Sequence, residues 1–260
     1  VASVAAVSGA AASMPAWGGN TLSDTFADFF QAHYQRMTGE EIDATLRRIE
    51  RKAKRRYGVQ ISCKDTPAQD NVVFGYAINI SKCRGYRDCV HACVEENNLS
   101  SDTQYIRVIE MDQGSTNLHQ GDHYYDSATV PVEGKYYLPV SCMQCDDPPC
   151  VKACPIEATW MEPDGIVVVD YDWCFGCRYC MTACPYQARH FNWGHPELDA
   201  EKITKTTHYL GNRPRPRGVV EKCHFCVQRT RKGEQPACQQ ACPANAIHFG
   251  DLNNPEAADA

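Results

Sequence analysis

The stretch CFGCRYCMTACPYQARHFNW, residues 174–193, decides the fold. Its cysteines Cys174, Cys177, Cys180 and Cys184 run C-x2-C-x2-C-x3-C and stop at Pro185. Two residues between thiols let a short loop curl until three sulfurs face one point, with its amide N–H groups turned the same way. Three residues before the last cysteine begin a helix, which carries Cys184 away from its own loop. Proline then suits the change of chain direction. Working outward, the pattern recurs twice with one gap lengthened. CMQCDDPPCVKACP (142–155) holds Cys142, Cys145, Cys150 and Cys154, and CHFCVQRTRKGEQPACQQACP (223–243) holds Cys223, Cys226, Cys238 and Cys242. Cys83, Cys89 and Cys93 form a shorter group, the first of four in chain order. Of the 16 cysteines only Cys63 stands alone.

Three thiolates converging from one loop suit the closely spaced iron corners of an iron-sulfur cubane. Disulfides fit poorly, because disulfide scaffolds are short chains and C-x2-C pairs bridge badly. Zinc takes such ligands but has no need for three copies ending in Cys-Pro. Haem c attachment is excluded, since no C-x-x-C-H occurs. The spacing of group three is similar to that of the bacterial two-cluster ferredoxins, whose fourth cysteine ligates the other cluster. That resemblance implies a crossover between paired groups. Nesting groups two and three gives Cys142, Cys145, Cys150 with Cys184, and Cys174, Cys177, Cys180 with Cys154, each for a [4Fe-4S] cluster. Nesting groups one and four gives Cys223, Cys226, Cys238 with Cys93 for a third. Cys83, Cys89 and Cys242 remain, and Tyr86 stands where the regular spacing wants a cysteine. Three thiolates suit a [3Fe-4S] cluster there. A [4Fe-4S] cluster with an oxygen ligand or with Cys63, or an empty site, stays open. The total expected is three [4Fe-4S] clusters and one [3Fe-4S].

The chain has 260 residues, 43% apolar and 22% charged, which is globular composition. No run of eighteen apolar residues exists, so no membrane-spanning helix is expected. The net charge of -6, with no basic stripe interleaved with aromatics, argues against nucleic acid. Neither a dinucleotide fingerprint nor a P-loop is present, and His119, His123, His190, His195, His208, His224 and His248 lack metal-type spacing. No catalytic residue is expected.

The predicted fold is α+β, two nested bacterial-ferredoxin-like units with insertions and an N-terminal helical arm. Residues 1–19 are uncharged and small, the composition of a signal-peptide remnant or a disordered leader. Residues 20–71 read as a helical docking arm. Phe26, Phe29, Phe30 and Tyr34 make an aromatic face, and Thr38 with Glu41 makes a capping box. Ile42, Leu46, Ile49, Ala53 and Tyr57 then recur at helical intervals until Gly58, and basic residues from Arg47 to Arg56 cover the other faces. The first unit comprises 72–135 and 212–260, and the second 136–193. Strands are expected at FGYAINI (74–80), YYLPV (136–140), on both sides of Pro163-Asp164-Gly165, in ARHFNW (188–193) and in AIHFGDL (246–252). A polar linker spans 194–211 and keeps its character through NRPRPRG (212–218). Residues 112–135 read as a surface insertion.

From Phe74 to Leu252 the chain resembles the four-cluster iron-sulfur subunits of the DMSO reductase, polysulfide reductase and nitrite-reductase-accessory type. The resemblance rests on the three motifs ending in Cys-Pro. Similar subunits occur in alternative complex III and in quinone reductase complexes. The resemblance implies a relay of single electrons between an integral membrane quinone-interacting subunit and a molybdopterin-type large subunit or, in some complexes, a multihaem cytochrome c. It also implies a place on the periplasmic side of the cytoplasmic membrane, reached by twin-arginine (Tat) export, since clusters must be inserted before translocation. Groups one and four would lie toward the catalytic subunit, and groups two and three toward the membrane. Tyr86 departs from the family pattern. Trp173, Phe175, Tyr179, Tyr186 and Phe225, with the cations Arg84, Arg87, Arg178 and Lys222, are candidates for tuning the clusters or for ordinary packing and surface charge. A freestanding soluble shuttle is the alternative reading of the same motifs.

Overall fold

The computed structural model describes residues 37–100 and 102–254. The expected leader and the aromatic residues Phe26, Phe29, Phe30 and Tyr34 lie outside them. The first described element is helix α1, Gly39–Tyr57. Thr38 caps it as its sequence requires: the Thr38 side chain accepts from the Glu41 N–H, and the Glu41 carboxylate accepts from the Thr38 N–H. Gly58, at φ 72°, ends the helix in a left-handed turn. The apolar stripe lies against the body, where Ile49 and Ala53 join a core with Ile61, Ile166, Val168, Leu210 and Val227. Arg48 reaches Asp172 at 3.0 Å, tying the helix to group three's approach. No helix among the described residues is long and apolar enough to cross a membrane.

The rest of the fold is four repeats of strand, cysteine loop, short helix and strand. The first runs β2 (Phe74–Ile78), α2 (Asp88–Glu96) and β3 (Arg107–Asp112). The second runs β4 (Lys135–Val140), α3 (Pro149–Lys152) and β5 (Thr159–Met161). The third runs β6 (Val167–Val169), α4 (Tyr179–Ala183) and β7 (Arg189–Phe191). The fourth runs β9 (Val220–Lys222), α5 (Val227–Thr230), α6 (Ala237–Gln240) and β10 (Ile247–Asp251). Every strand expected from the sequence is present, and together they make a mixed, α+β fold.

The pairing of these strands is cyclic. The strand leaving each repeat pairs antiparallel with the strand entering the next: β3 with β4, β5 with β6, β7 with β9. β10 returns to β2, Ile247 opposite Ile78 and Asp251 opposite Phe74, which closes the cycle. The helices pair differently. α2 packs on α6, joining repeats one and four, and α3 packs on α4, joining repeats two and three. The helices thus press the cysteine groups together in two pairs, while the ladders hold the order of repeats.

Two more strands, β1 (Ser62–Lys64) and β8 (Thr206–His208), pair in parallel outside this cycle. β8 lies within the stretch read as a polar linker; that stretch is mostly exposed up to Thr206, but from Thr207 to Arg215 it is core. Thr207, His208, Asn212, Arg213 and Arg215 are all buried. Arg215 contacts the Glu221 carboxylate at 2.6 Å, and donates to the Asn97 carbonyl and the Tyr105 hydroxyl. Arg213 donates to the Tyr209 carbonyl and lies over the Tyr171 and Tyr209 rings. A proline on each side of Arg215 holds the chain extended, so alternate arginines reach inward while the backbone threads between repeats. The 112–135 insertion joins β3 to β4 and is mostly exposed, but Tyr125 is buried and donates to the Gly85 carbonyl at 2.6 Å.

Candidate metal centres

The four cysteine loops share one backbone device. The residue two after the first cysteine of each group has positive φ: Gly85 at 78°, Gln144 at 44°, Gly176 at 78° and Phe225 at 52°. That turn folds the loop back on itself so that the flanking thiols face one side. Arg87 and Arg178 repeat it at 64° and 65°, each immediately before its helix. Loops one and three therefore superpose in sequence and in dihedral angle, and Tyr86 falls at the position of Cys177. Gly176 is needed for room as well: a Cβ there would sit 2.1 Å from the Gly218 carbonyl oxygen.

A second device ends three of the groups. After Cys154, Cys184 and Cys242 comes proline, and two residues later a left-handed residue: Glu157 (51°), Gln187 (52°) and Asn245 (46°). The turn brings the next N–H back onto sulfur: Ala158 donates to Cys154 Sγ at 3.2 Å and Ala246 to Cys242 Sγ at 3.3 Å. Peptide N–H groups commonly support the thiolates of such centres in this way.

The sulfurs gather in four sets. Cys83 and Cys242 both act on Cys89. Cys223, Cys226 and Cys238 surround Cys93, and Asn97 donates to both Cys93 Sγ (3.5 Å) and Cys226 Sγ (3.6 Å). Cys142, Cys150 and Cys184 surround Cys145. Cys174, Cys177, Cys180 and Cys154 line one cavity, and Cys142, Cys145, Cys150 and Cys184 line another. The sets also lie within electrostatic reach of one another in a row, the last step through Arg189. Cys89 acts on Cys238, Cys142 on Cys223, and both Cys150 and Cys180 on Arg189. No disulfide joins any of the cysteines. Cys63, on β1, sits apart in the aliphatic core with its N–H on Glu50 at 2.9 Å, and burial pushes its thiol up.

Burial, and then the neighbouring thiols, push Cys89 to about 12, and burial pushes Cys180 to about 11 against the opposing pull of Arg189. Burial and the nearby Cys142 push Cys223 to about 12. Crowded, desolvated thiols become thiolates only around a cationic core, which iron supplies. Cavities lined by four thiols, with N–H groups turned onto sulfur, fit iron-sulfur clusters on the chemistry of their donors.

Between the sets stand residues of other types. Tyr76, on β2, lies half-buried near Cys238, Cys223, Cys89 and Cys93. Gln144 donates to the Cys223 carbonyl at 2.8 Å and accepts from Lys222 Nζ at 3.3 Å, joining groups two and four. Of the expected tuning residues, Lys222 and Phe225 are buried beside group four, and Phe225 stacks on Tyr76. Trp173 donates to the Ile156 carbonyl. Phe175, Tyr179 and Tyr186 are exposed. Arg178 lies over Phe191 and Trp193, and Arg87 over Tyr125. Arg84 acts on Cys83. Reading by adjacency to cysteine missed Asn97, Tyr76 and Arg189. Arg189 carried a usable signal, since it follows the Cys-Pro turn directly.

A chain of four repeats, each delivering thiols from a tight loop and a helix, defines a multi-cluster iron-sulfur protein. The family model described as a 4Fe-4S dicluster domain matches residues 134–214 and 199–252. The chain belongs to the family of iron-sulfur subunits found among the DMSO-reductase and menaquinone-reductase types. It is 42% identical over 183 residues to a provisionally named dimethyl sulfoxide reductase iron-sulfur subunit of Halobacterium salinarum, covering 70% of this chain and 67% of that one. It is 42% identical over 190 residues to a selenate reductase subunit of Mesobacillus selenatarsenatis, covering 69% and 60%. It is 37% identical over 204 residues to the iron-sulfur cluster-binding subunit of menaquinone reductase of Nitratidesulfovibrio vulgaris, covering 71% and 78%.

Proposed function

We propose that this chain is the electron-transfer subunit of a membrane-associated respiratory oxidoreductase, with no bond-making chemistry of its own. The observation that carries the proposal is the row of four thiol sets, each within electrostatic reach of the next or of the Arg189 shared with it. Bound there, three [4Fe-4S] clusters and one [3Fe-4S] cluster would supply stepwise one-electron transfer. Cys142, Cys145, Cys150 and Cys184 hold one, and Cys174, Cys177, Cys180 and Cys154 the next. Cys223, Cys226, Cys238 and Cys93 hold the third, and Cys83, Cys89 and Cys242 the three-iron cluster beside Tyr86. The chain's part is to fix their order and to exclude water. Gln144 and Lys222 tie groups two and four together and Asn97 joins two thiols of one set, while Tyr76, Phe225 and the buried valines displace solvent.

This reading takes 72–135 with 212–260 as one nested unit and 136–193 as the other, which the packing of α2 on α6 and α3 on α4 supports. The exposed basic face of α1 is then a docking surface. The partners of this reading are a molybdopterin-type large subunit and an integral membrane quinone-interacting subunit, or a multihaem cytochrome c. Its place is the periplasmic side of the cytoplasmic membrane.

Native purification from membranes tests the assignment. The chain should co-elute with a large subunit and an integral membrane subunit identified by mass spectrometry. Recovery as a fully loaded monomer would make it a soluble shuttle instead. A Cys93→Ala variant should disturb the spectrum of group four's cluster and leave group one's intact.

A further inference from the structure

Arg189, the first residue of β7, is buried at 4% exposure between two cavities. It lines both the one ringed by Cys154, Cys174, Cys177 and Cys180 and the one ringed by Cys142, Cys145, Cys150 and Cys184. Its Nη2 donates to Cys150 Sγ and to Thr159 Oγ1, each at 3.0 Å. Nε and Nη1 are buried and have no acceptor. A guanidinium carries five N–H donors in a fixed plane and stays charged. Leaving several of them unmet in the interior costs free energy, and so does leaving the charge uncompensated. The other deeply buried arginines have carboxylates: Arg215 has Glu221, Arg231 has Asp164 and Arg213 has Asp172. Arg189 makes no ion pair with a carboxylate among the described residues, and the groups that draw on its charge are Cys180, Cys150 and Cys142.

The repeat gives an internal comparison. Arg189 is the fifth residue after Cys184, and the fifth residues after Cys93, Cys154 and Cys242 are Asn98, Thr159 and Ile247. In the second unit the pair is Thr159 and Arg189, bonded to each other. In the first it is Asn98 and Ile247, and Ile247 packs among Cys89, Cys93 and Cys238. The same position is a cation between one pair of thiol sets and hydrocarbon between the other.

We infer that Arg189 is a shared potential-setting residue: one fixed positive charge, on a side chain that lines both cavities, raises the reduction potentials of the two clusters of the second unit together. The inference rests on the cluster assignment proposed above. An electron reaching either centre comes from its neighbour in the row and adds one negative charge. No proton moves, and the guanidinium stays charged. In a low-dielectric interior a fixed cation favours that added charge. Ile247 gives the first unit no such bias.

The test is an EPR-monitored redox titration of the intact complex carrying Arg189→Met, Arg189→Gln or Arg189→Lys, with iron and sulfide measured on each sample. In either neutral variant the two second-unit potentials should fall together, each by at least the 59 mV that a tenfold change in a one-electron equilibrium represents. The first-unit potentials should stay put, and Arg189→Lys should recover part of the shift. Unchanged potentials in a fully loaded neutral variant overturn the inference, as does an equal shift in all four. Loss of the second-unit clusters from both neutral variants makes Arg189 a structural clamp and also overturns it. If the wild type holds no clusters, the functional reading itself fails, which is a separate outcome.

Discussion

On the proposed cluster assignment, one side chain, Tyr86, sets how many irons a site can keep. The loop turns there as loop three does, with Gly85 and Arg87 matching Gly176 and Arg178 in sign of φ, so only the ligand atom differs. Tyr86→Cys should therefore restore a four-thiolate site without rebuilding the backbone. The expected result is loss of the three-iron EPR signal of the oxidised protein and gain of a four-iron signal on reduction. An unaltered spectrum would mean that the site never held three irons. His208 sets a different single-residue expectation. Burial drives it down to about 4, and its Nδ1 accepts from the Leu210 N–H while Nε2 meets Thr66. Its folded pKa lies below the unfolded value of 6.5, so stability is full above pH 6.5 and is lost as pH falls toward 4. The loss amounts to about 3 kcal/mol. The melting temperature of the wild type should drop more steeply across that window than that of His208→Gln.

The cysteine loops and the Arg/Pro segment behave oppositely as elements. Loop spacing is a local constraint, so the thiol groups and the flanking strands were legible in the sequence, as was the capping box of α1. Gly176→Ala tests that local logic. A Cβ would meet backbone at Gly218, which cannot swing away as a side chain would. Iron content should fall by about one cluster, and the group-three signal should vanish first. NRPRPRG was not legible as core. The partners that compensate its charges, Glu221 apart, lie far off in sequence: Asn97, Tyr105, Tyr171 and Asp172. Polar composition suggested a surface, while pairing across the fold made it interior. Arg215→Met should cost about 3–5 kcal/mol, because it strands the buried Glu221 carboxylate. Chemical denaturation followed by the visible absorbance of the holo-protein measures this.

Across the whole molecule the hydrocarbon core is modest, and much of the interior is sulfur, buried arginine and their partners. The ladders run β3 to β4, β5 to β6, β7 to β9 and β10 back to β2, so removing one repeat opens the cycle. The sequence displayed the repeats but not their cyclic pairing, since strands of three to six residues carry no register signal of their own. It displayed the nested cysteine sets only through resemblance to ferredoxins. Metal binding and folding are coupled in such a design. The most direct test is iron and acid-labile sulfide analysis of anaerobically prepared protein, with EPR of the oxidised and reduced forms. The account predicts about 15 iron and about 16 sulfide per chain, with one three-iron and three four-iron signals. Protein that is colourless, carries zinc and has almost no iron or sulfide would contradict it.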